Sequence, residues 1–441
     1  MHRVKKPTAT LSSMSLSLAA SIVMATLAIP LASMAAGADP KAASGNWPHW
    51  RGPTGNGVSL DADPPLKWSP EDGIAWKTAI PGRGSASPVV WESRVFVATA
   101  VKLEGSAELV PHRFVLLALD RATGKVLWER VAIEATPREG HHSDHGFASA
   151  SPFTDGERVY AYFGSRGLFA FTLAGEPAWH RTDFGTMTTR GTFGEGSSPT
   201  LHGDSIIVPW DHEGPSYITA IDRHTGKTLW KTDRDETSSW GTPLVAEHSG
   251  KLQVITTGEK FARGYDFASG RELWRCTGQT GRPVASPVAG HGVAIIGSGF
   301  RGAFLGAFRL DGKGDLKGTE NVAWSLSKHT PDIPSPLLSG TRVYFFAGRN
   351  GILSCHDVSS GKPYYTALRV EGLGNVYASP VAASGRVYLT ARDGTTVTIE
   401  DGDELKILAK SSVGEPVDAT PALAGKDVFI RGEKHLFAIR R

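Results

Sequence analysis

The sequence predicts an all-β fold, an eight-bladed β-propeller of four-stranded antiparallel blades in which the last blade is closed by an N-terminal strand. Three observations support this prediction. Proline-containing pairs recur at blade-length intervals, each interval contains short β-type runs, and the final unit lacks a strand that a run near the start of the chain could supply.

Ser-Pro or Thr-Pro pairs mark the units, and successive prolines stand 41 to 64 residues apart. The intervening segments are rich in β-branched and aromatic residues and have no helical periodicity, which is typical of propeller blades. Proline cannot donate to a sheet ladder, so each pair is expected on an innermost strand whose free edge faces the central channel. The pairs are Ser87-Pro88, Ser151-Pro152, Ser198-Pro199, Thr242-Pro243, Ser286-Pro287, Ser335-Pro336, Ser379-Pro380 and Thr420-Pro421.

Each unit contains four short runs with apolar residues at alternate positions, as in TLH, SIIVPW, SYITAID and KTLWKT of the third unit. The string ALDRATGKVLW at 118–128 returns as AIDRHTGKTLW at 220–230. Its Asp and Thr-Gly predict a tight turn between the third and fourth strands, with glycine at the positive φ. The tryptophan that follows is expected to fill the wedge between blades. The tryptophans at this position are Trp76, Trp128, Trp179, Trp230, Trp274 and Trp324.

The last unit has only three strand-like runs before Arg441, while the run IAWKTAI at 74–80 precedes the first unit. An N-terminal strand that completes the last blade would remove the open sheet edges. We therefore divide the chain into a signal peptide at 1–38, an N-terminal arm at 39–73 and one propeller domain at 74–441.

The N-terminal segment predicts export. Arg3, Lys5 and Lys6 precede an uncharged run that ends near Ala32, and small residues follow. This pattern is typical of a signal peptide, although the length of the apolar run leaves an uncleaved anchor as an alternative. We expect a periplasmic or secreted protein that is monomeric and has no membrane span after cleavage.

Removal of this segment reduces the formal net charge from +3 to about zero. A neutral surface gives no support for nucleic-acid binding, which requires a dense cationic face. The two cysteines, Cys276 and Cys355, fall in non-adjacent predicted blades and are expected to stay unpaired.

The repeated string A-x-D-x-x-T-G-K-x-x-W resembles the tryptophan-docked, eight-bladed propellers of pyrroloquinoline quinone (PQQ) dehydrogenases and of the outer-membrane assembly propeller. The stretch WPHWRGP at 47–53, with Gly57-Val58-Ser59 after it, resembles secreted PQQ-binding-like β-propeller repeat proteins of planctomycete-type bacteria. PQQ dehydrogenases have adjacent cysteines and a bound Ca²⁺. This chain has no Cys-Cys pair. PQQ with Ca²⁺ is therefore a possible cofactor that the residues do not support, and we predict no cofactor.

The loops that lead into the inner strands, here called entrance loops, and the turns between second and third strands are expected to share one face around the channel mouth. The entrance loop of blade 2 contains His141, His142 and His145. These residues could bind Zn²⁺ or act in acid-base chemistry, or they could form a solvated loop hydrogen-bonded to backbone. We predict no metal site.

Entrance loops of blades 3 to 5 contain Arg190, Glu195, Trp240 and Arg282. An aromatic floor with guanidinium groups suits a carboxylated or sulfated sugar, and ion pairs between blades are the alternative interpretation. The second-to-third-strand turns repeat a cation, which could attract anionic ligands or could be ordinary hairpin charge. These cations are Arg166, Lys260, Arg301, Arg349, Arg392 and Arg431, of which Arg301 and Arg349 are candidate ligand residues.

The sequence favours a binding or scaffold module that engages an anionic glycan or a protein segment at the channel mouth. We predict no catalytic residues. The alternatives are a PQQ-dependent oxidoreductase, a propeller polysaccharide lyase that uses His145 as base, and an outer-membrane protein assembly factor.

Overall fold

The computed structural model describes residues 45–105 and 109–441, in which eight sheets are each built on four antiparallel strands and the sheet of blade 4 has a short fifth, parallel strand. First strands of consecutive blades contact one another around a complete ring, which places them at the central channel. The strands of blades 1 to 4 are Val89–Trp91, Arg94–Lys102, His112–Asp120 and Val126–Ala135; Phe153–Thr154, Arg158–Tyr162, Leu168–Thr172 and Pro177–Arg181; Thr200–His202, Ser205–Trp210, Ser216–Asp222 and Thr228–Arg234; Leu244–His248, Lys251–Thr256, Ala262–Asp266 and Glu272–Cys276.

The later blades follow the same plan, and the predicted eight-bladed fold is confirmed. Apolar clusters lie between neighbouring blades, so the hydrophobic core is divided among the seams. The strands of blades 5 to 8 are Val288–Gly290, Val293–Ser298, Phe304–Arg309 and Val322–Leu326; Leu337–Ser339, Arg342–Phe346, Ile352–Asp357 and Pro363–Arg369; Val381–Ala383, Arg386–Thr390, Thr395–Glu400 and Ile407–Ser412; Ala422–Ala424, Asp427–Arg431, His435–Ile439 and Ile74–Ala79.

The ring closes through blade 8 as the sequence predicts. Ile74–Ala79 pairs antiparallel with His435–Ile439, with Lys77 opposite Phe437 and Thr78 opposite Leu436. A register shift between Ile74 and Trp76 marks a bulge in the N-terminal strand. The two ends of the described propeller are therefore held in one sheet.

The Ser-Pro and Thr-Pro pairs form a closed belt of hydrogen bonds around the channel. The backbone amide of Ser87 in blade 1 donates to the hydroxyl of Ser151 in blade 2 at 2.9 Å, and the same contact recurs at every seam. The amide of Thr420 in blade 8 returns to the hydroxyl of Ser87 at 3.0 Å. The prolines immediately precede the inner strands, and it is the hydroxyl residue before each proline that links the blades.

Outer-strand tryptophans lie against the turn glycines of the next blade. The indole nitrogen of Trp76 donates to the carbonyl of Arg121 at 3.0 Å, and a Cβ on Gly124 would lie 2.5 Å from the Trp76 ring. Gly124 also has a φ of 72°. The turn glycine is therefore required both for its backbone conformation and for the space that the neighbouring tryptophan occupies. Trp128, Trp179, Trp230 and Trp324 make equivalent contacts.

Trp274 differs because blade 5 has no Thr-Gly turn at this position. Its indole nitrogen donates to the side chain of Gln253 within its own blade at 3.0 Å, and its ring stacks on Phe308 of blade 5. A longer loop replaces the turn, and its strand Gly314–Asp315 pairs in parallel with Glu272–Cys276. The glycine-rich segment at 311–315 is thus held by backbone pairing.

The N-terminal arm crosses the end of the channel opposite the entrance loops. Asn56 exchanges two hydrogen bonds with the backbone of Ala289 in blade 5, at 2.8 and 3.0 Å. The buried Arg51 donates to the carbonyls of Pro336 and Pro380 in blades 6 and 7. The carbonyl of Pro48 accepts from Thr154 in blade 2. The arm therefore acts as a plug that joins blades far apart in sequence.

The predicted signal peptide at 1–38 lies outside the described residues. Within the described part, we find no helix with the length and apolar character needed to cross a membrane. The only helical segments there are the 3₁₀ turns Gly164–Arg166 and Arg190–Thr192. Cys276 and Cys355 are buried and free, in blades 4 and 6, as the sequence predicts.

Candidate functional site

A cavity of about 470 Å³ occupies the channel between the entrance loops and the arm. Its walls include the belt hydroxyls, and Trp50 of the arm lines it from the plugged side. Entrance loops and second-to-third-strand turns supply the residues at the mouth. A pocket of this size that is open at one end is typical of a small-molecule site.

The histidines of the blade 2 entrance loop are held by local contacts. The His145 Nε2 lies 2.6 Å from the carbonyl oxygen of Phe193, and its Nδ1 lies 3.1 Å from the Ser149 hydroxyl. Burial lowers the pKa of His145, which favours the neutral ring. If Nε2 carries the proton and donates to Phe193, Nδ1 accepts from Ser149. Both ring nitrogens then have partners in the protein.

His141 and His142 do not join His145 in a metal site. The Nδ1 atom of His141 lies 2.8 Å from the carbonyl oxygen of His142, and its ring packs edge-on against Phe147. His142 lies 3.5 Å from Asp144. No cluster of three or more His, Cys, Asp or Glu side chains suited to a metal ion occurs among the described residues.

Two arginines at the mouth share one carboxylate. Arg282 and Arg349 lie 3.4 and 3.3 Å from the side chain of Asp332, which is only 8% exposed. The Arg282 guanidinium also lies 3.8 Å from the ring centre of Phe300, a cation–π distance. The two guanidinium groups therefore share a single carboxylate at this point of the mouth.

A second network surrounds Tyr377. Its hydroxyl donates to Asp144 at 2.6 Å and accepts from Arg349 at 2.7 Å. The Tyr377 hydroxyl, followed by Arg392, holds the pKa of Asp144 below its usual value. Arg392 lies over the Tyr377 ring at 4.0 Å and pairs with Asp418 at 2.6 Å. The mouth thus presents aromatic faces together with paired donors and acceptors.

Trp240 forms part of the opposite wall. Its indole nitrogen donates to the carbonyl of Gly194 at 2.7 Å, and its ring lies 6.3 Å from that of Phe193. Both rings line the cavity. Because the indole nitrogen is already hydrogen-bonded, Trp240 presents its apolar face to a ligand.

Four of the predicted site residues do not line the cavity: His141, Arg190, Glu195 and Arg301. Arg190 pairs with Glu259 at 2.7 Å and with Glu213 at 3.3 Å. Glu195 pairs with Arg166 at 2.7 Å, which corresponds to the alternative interpretation of ion pairs between blades. Arg301 is exposed, has a φ of 52° and lies over Phe300. The structure brings His142, His145, Trp240, Arg282 and Arg349 together.

Sequence reasoning missed Asp332, Tyr377 and Phe300, and it missed the role of Trp50. Tyr377 stands three residues before Pro380, and Asp332 stands four residues before Pro336. The candidates Glu195, Trp240 and Arg282 stand three to five residues before the prolines of blades 3 to 5. The same rule applied to blades 6 to 8 would have found Tyr377, Asp332 and Asp418.

A larger groove of about 720 Å³ lies on the arm side. Its charged side chains are partly paired with one another, since Arg223 contacts Asp155 at 2.6 Å and Asp204 at 3.0 Å. The arm separates this groove from the channel, so we take the mouth cavity as the candidate site.

The residues present do not fit a PQQ and Ca²⁺ site of the dehydrogenase type. The two cysteines lie in different blades, and burial raises the pKa of the Cys276 thiol to about 11 and that of Cys355 to about 12. Among the described residues, no set of acidic side chains converges as a metal site.

Comparisons with known proteins relate both sequence and fold to characterised propellers. A family model described as outer membrane protein assembly factor BamB matches residues 66–183 and 173–315. An outer membrane protein assembly factor BamB from Yersinia pestis is 26% identical over 244 residues, which are 50% of this chain and 57% of that protein. The chain therefore aligns with little more than half the length of this curated relative.

Solved structures give the same fold at low identity. BamB from Moraxella catarrhalis has a TM-score of 0.55 at 12% identity, over 83% of this chain and 97% of that chain. Quinohemoprotein alcohol dehydrogenase from Comamonas testosteroni has a TM-score of 0.58 at 12% identity, over 90% and 81%. The enzyme ADHIIG from Pseudomonas putida HK5 has a TM-score of 0.59 at 11% identity, over 92% and 82%.

Proposed function

Since the chain belongs to the BamB-type family of PQQ-like β-propellers, we propose that it is a binding module of the cell envelope whose mouth cavity holds a saccharide with an acidic group. The observation that carries the proposal is the cavity of about 470 Å³, which is plugged by the arm and lined at its mouth by aromatic faces and Arg–Asp networks. The proposed envelope location is supported by the outer-membrane role in the names of the matching family and of the curated relative.

The chemistry of the lining favours a polyhydroxylated ligand. Sugar hydroxyls both donate and accept hydrogen bonds, and the networks around Asp332 and Tyr377 offer both kinds of partner. Trp240 and Phe300 present flat apolar surfaces for the CH faces of a sugar ring. The acidic group is assigned to Arg349, whose side chain is 38% exposed and shares Asp332 with Arg282.

Two enzymatic alternatives have less support. A lyase would need His145 as a free base, and in the assignment above both of its nitrogens have hydrogen-bond partners. A quinoprotein would need a cofactor site that the cysteines and acidic residues do not supply. We therefore propose binding without catalysis.

The test is calorimetric titration with acidic oligosaccharides and with neutral oligosaccharides of matched length. We expect binding of the acidic series, an affinity loss of at least tenfold in Trp240→Ala, and reduced preference for acidic sugars in Arg349→Gln. Arg190→Gln is the matched control, because Arg190 does not line the cavity. If the wild-type protein binds no member of either series, or if Trp240→Ala binds as well as wild type, the proposal is rejected.

Family membership favours a second candidate, a scaffold in the assembly of outer-membrane proteins, which is the function printed in the name of the matching family. This role predicts that unfolded barrel proteins co-purify with the propeller. It also predicts that co-purification survives Trp240→Ala, since a scaffold surface need not include the cavity. Loss of co-purification in that variant would contradict a scaffold surface that lies outside the cavity.

A further inference from the structure

The buried guanidinium of Arg431 lies at the end of the second strand of blade 8, near the seam with blade 1. The residue is 1% exposed, and none of its three guanidinium nitrogens has a hydrogen-bond partner among the described residues. A buried charge without a partner is costly, typically by several kcal/mol. The contacts of the described residues therefore do not explain why an arginine is buried at position 431.

Two other seams contain an arginine–carboxylate pair of the kind that Arg431 lacks. At the seam between blades 2 and 3, Arg166 meets Glu195 of the next entrance loop at 2.7 Å. At the seam between blades 7 and 8, Arg392 meets Asp418 of the next entrance loop at 2.6 Å. The entrance loop of blade 1 reads Pro81-Gly82-Arg83-Gly84-Ser85-Ala86-Ser87 and has no carboxylate. The seam between blades 8 and 1 therefore has an arginine and lacks the acid.

Glu415 does not compensate for the missing acid. Its side chain accepts from the amides of Lys434 and His435, at 2.5 and 2.9 Å, and contacts the His435 imidazole at 2.6 Å. Glu415 attracts the charge of Arg431 through space, but none of its oxygens accepts a hydrogen bond from the guanidinium. The three guanidinium nitrogens of Arg431 are thus left without an acceptor among the described residues.

A cavity of about 450 Å³ adjoins Arg431. Its lining contains two further cations, Arg83 and Arg392, and four carboxylates. Asp418 is paired with Arg392, and Asp144 receives the Tyr377 hydroxyl. The remaining carboxylates, those of Asp393 and Glu433, leave acceptors at the cavity wall.

We propose that this cavity, the seam pocket, binds a small polyhydroxylated carboxylic acid of the sugar-acid type, with its carboxylate on Arg431. The carboxylate takes the place that Asp418 and Glu195 fill at other seams, and the hydroxyl groups donate to Asp393 and Glu433. Inorganic phosphate offers only one or two hydroxyl donors to these two carboxylates, fewer than a sugar acid does. The seam pocket shares Ser85, Asp144, Asp418 and Ala419 with the mouth cavity, whereas Trp240 and Arg349 line the mouth cavity and not the seam pocket.

The test uses D-glucuronate as the probe, with D-glucose and inorganic phosphate as comparisons, in calorimetric titration and thermal unfolding. We expect glucuronate to bind wild type and raise its Tm, with affinity at least tenfold lower in Arg431→Met. Removal of an unpaired buried charge leaves the fold intact, which circular dichroism checks. Arg190→Gln is the matched control, because Arg190 lines neither cavity, and it is expected to bind glucuronate as wild type does.

The Ser85→Asp variant provides a second test of the seam pocket. Ser85 stands three residues before Pro88, as Asp418 stands three residues before Pro421. The introduced carboxylate is expected to raise the Tm without ligand and to abolish the glucuronate effect. If glucuronate binds neither wild type nor control, if Arg431→Met binds it equally, or if phosphate binds more tightly than glucuronate, the proposal is overturned.

Discussion

Each hydroxyl of the Ser-Pro and Thr-Pro pairs accepts a hydrogen bond from a buried amide of the preceding blade. A buried amide without an acceptor typically costs about 1–3 kcal/mol. The hydroxyls therefore account for the recurrence of serine and threonine before proline. Proline itself lacks a backbone N–H donor, and it is tolerated here because the inner edge of each blade needs no donor.

Ser198→Ala removes the acceptor for the amide of Ser151, which lies 3.0 Å away. We expect the free energy of unfolding to fall by about 1–3 kcal/mol, measured by chemical denaturation. Ser359→Ala, at an exposed turn position, is the control and should change stability by less than about 0.5 kcal/mol. Equal effects of the two variants would contradict a structural role for the belt.

His49 of the arm predicts a pH effect. Burial, with repulsion from Arg51, lowers the pKa of His49 to about 4 from 6.5, against the effect of its contact with the Pro199 carbonyl. Because the folded-state pKa lies below the unfolded one, the unfolded chain binds the proton first as pH falls. Stability is then lost between pH 6.5 and pH 4, by at most ~3 kcal/mol for this residue.

His49→Gln should flatten this decline, because glutamine keeps a donor and does not titrate. Denaturation at several pH values between 4 and 6.5 measures the effect, with exposed His329→Gln as the control. A decline in His49→Gln as steep as in wild type would show that other groups cause the acid sensitivity.

Tyr377 and Asp144 offer a test within the candidate site. Tyr377→Phe removes the hydrogen bond that lowers the pKa of Asp144, so we expect this pKa to rise toward its ordinary value. The stability contributed by ionised Asp144 would then be lost at a higher pH as the solution is acidified. NMR titration of the Asp144 carboxyl measures the shift, and an unchanged pKa would leave Arg392 as its main cause.

At the scale of elements, the arm behaves as a part of the propeller and not as a linker. Asn56 uses both atoms of its amide group to pair with Ala289, as a strand neighbour would. In the described part of the chain, the arm contacts the inner-strand segments of blades 1, 2, 3, 5, 6 and 7. It therefore closes the channel floor beneath Trp50.

Asn56→Ala leaves the amide and the carbonyl of Ala289 without partners. We expect a loss of about 2 kcal/mol in unfolding free energy, together with faster hydrogen exchange at the Ala289 amide. Asn350→Ala changes an exposed asparagine and serves as the control. Unchanged exchange at Ala289 would indicate that the arm does not protect the inner strand.

At the scale of the whole molecule, circular closure depends on the pairing of Ile74–Ala79 with His435–Ile439. Leu436, Phe437, Ala438 and Ile439 are fully buried there. Their removal exposes both an apolar face and unpaired strand edges.

A truncation that removes residues 435–441 is expected to abolish the single cooperative unfolding transition and to cause association. Calorimetry and size-exclusion chromatography measure these effects. Removal of exposed Arg441 alone is the control. A truncated protein that unfolds as wild type does would show that closure is not needed for stability.

The candidate site was predictable only in part. Repeat spacing located the entrance loops, and Trp240, Arg282, Arg349, His142 and His145 do meet at the mouth. Arg190 and Glu195 lie in the same loops, and their side chains are directed to Glu259 and Arg166. The direction of a loop side chain depends on partners from other blades, and sequence spacing does not contain that information.

The sequence alone determined the number of blades, the order of strands and turns within each blade, and the closure of the ring. The reason is that alternating burial and turn chemistry are local properties that each unit repeats. Only the tertiary structure decided the hydroxyl belt, the plugging arm and the unpaired Arg431. Each of these depends on atoms from segments tens to hundreds of residues apart, which meet only when eight sheets are arranged around one axis.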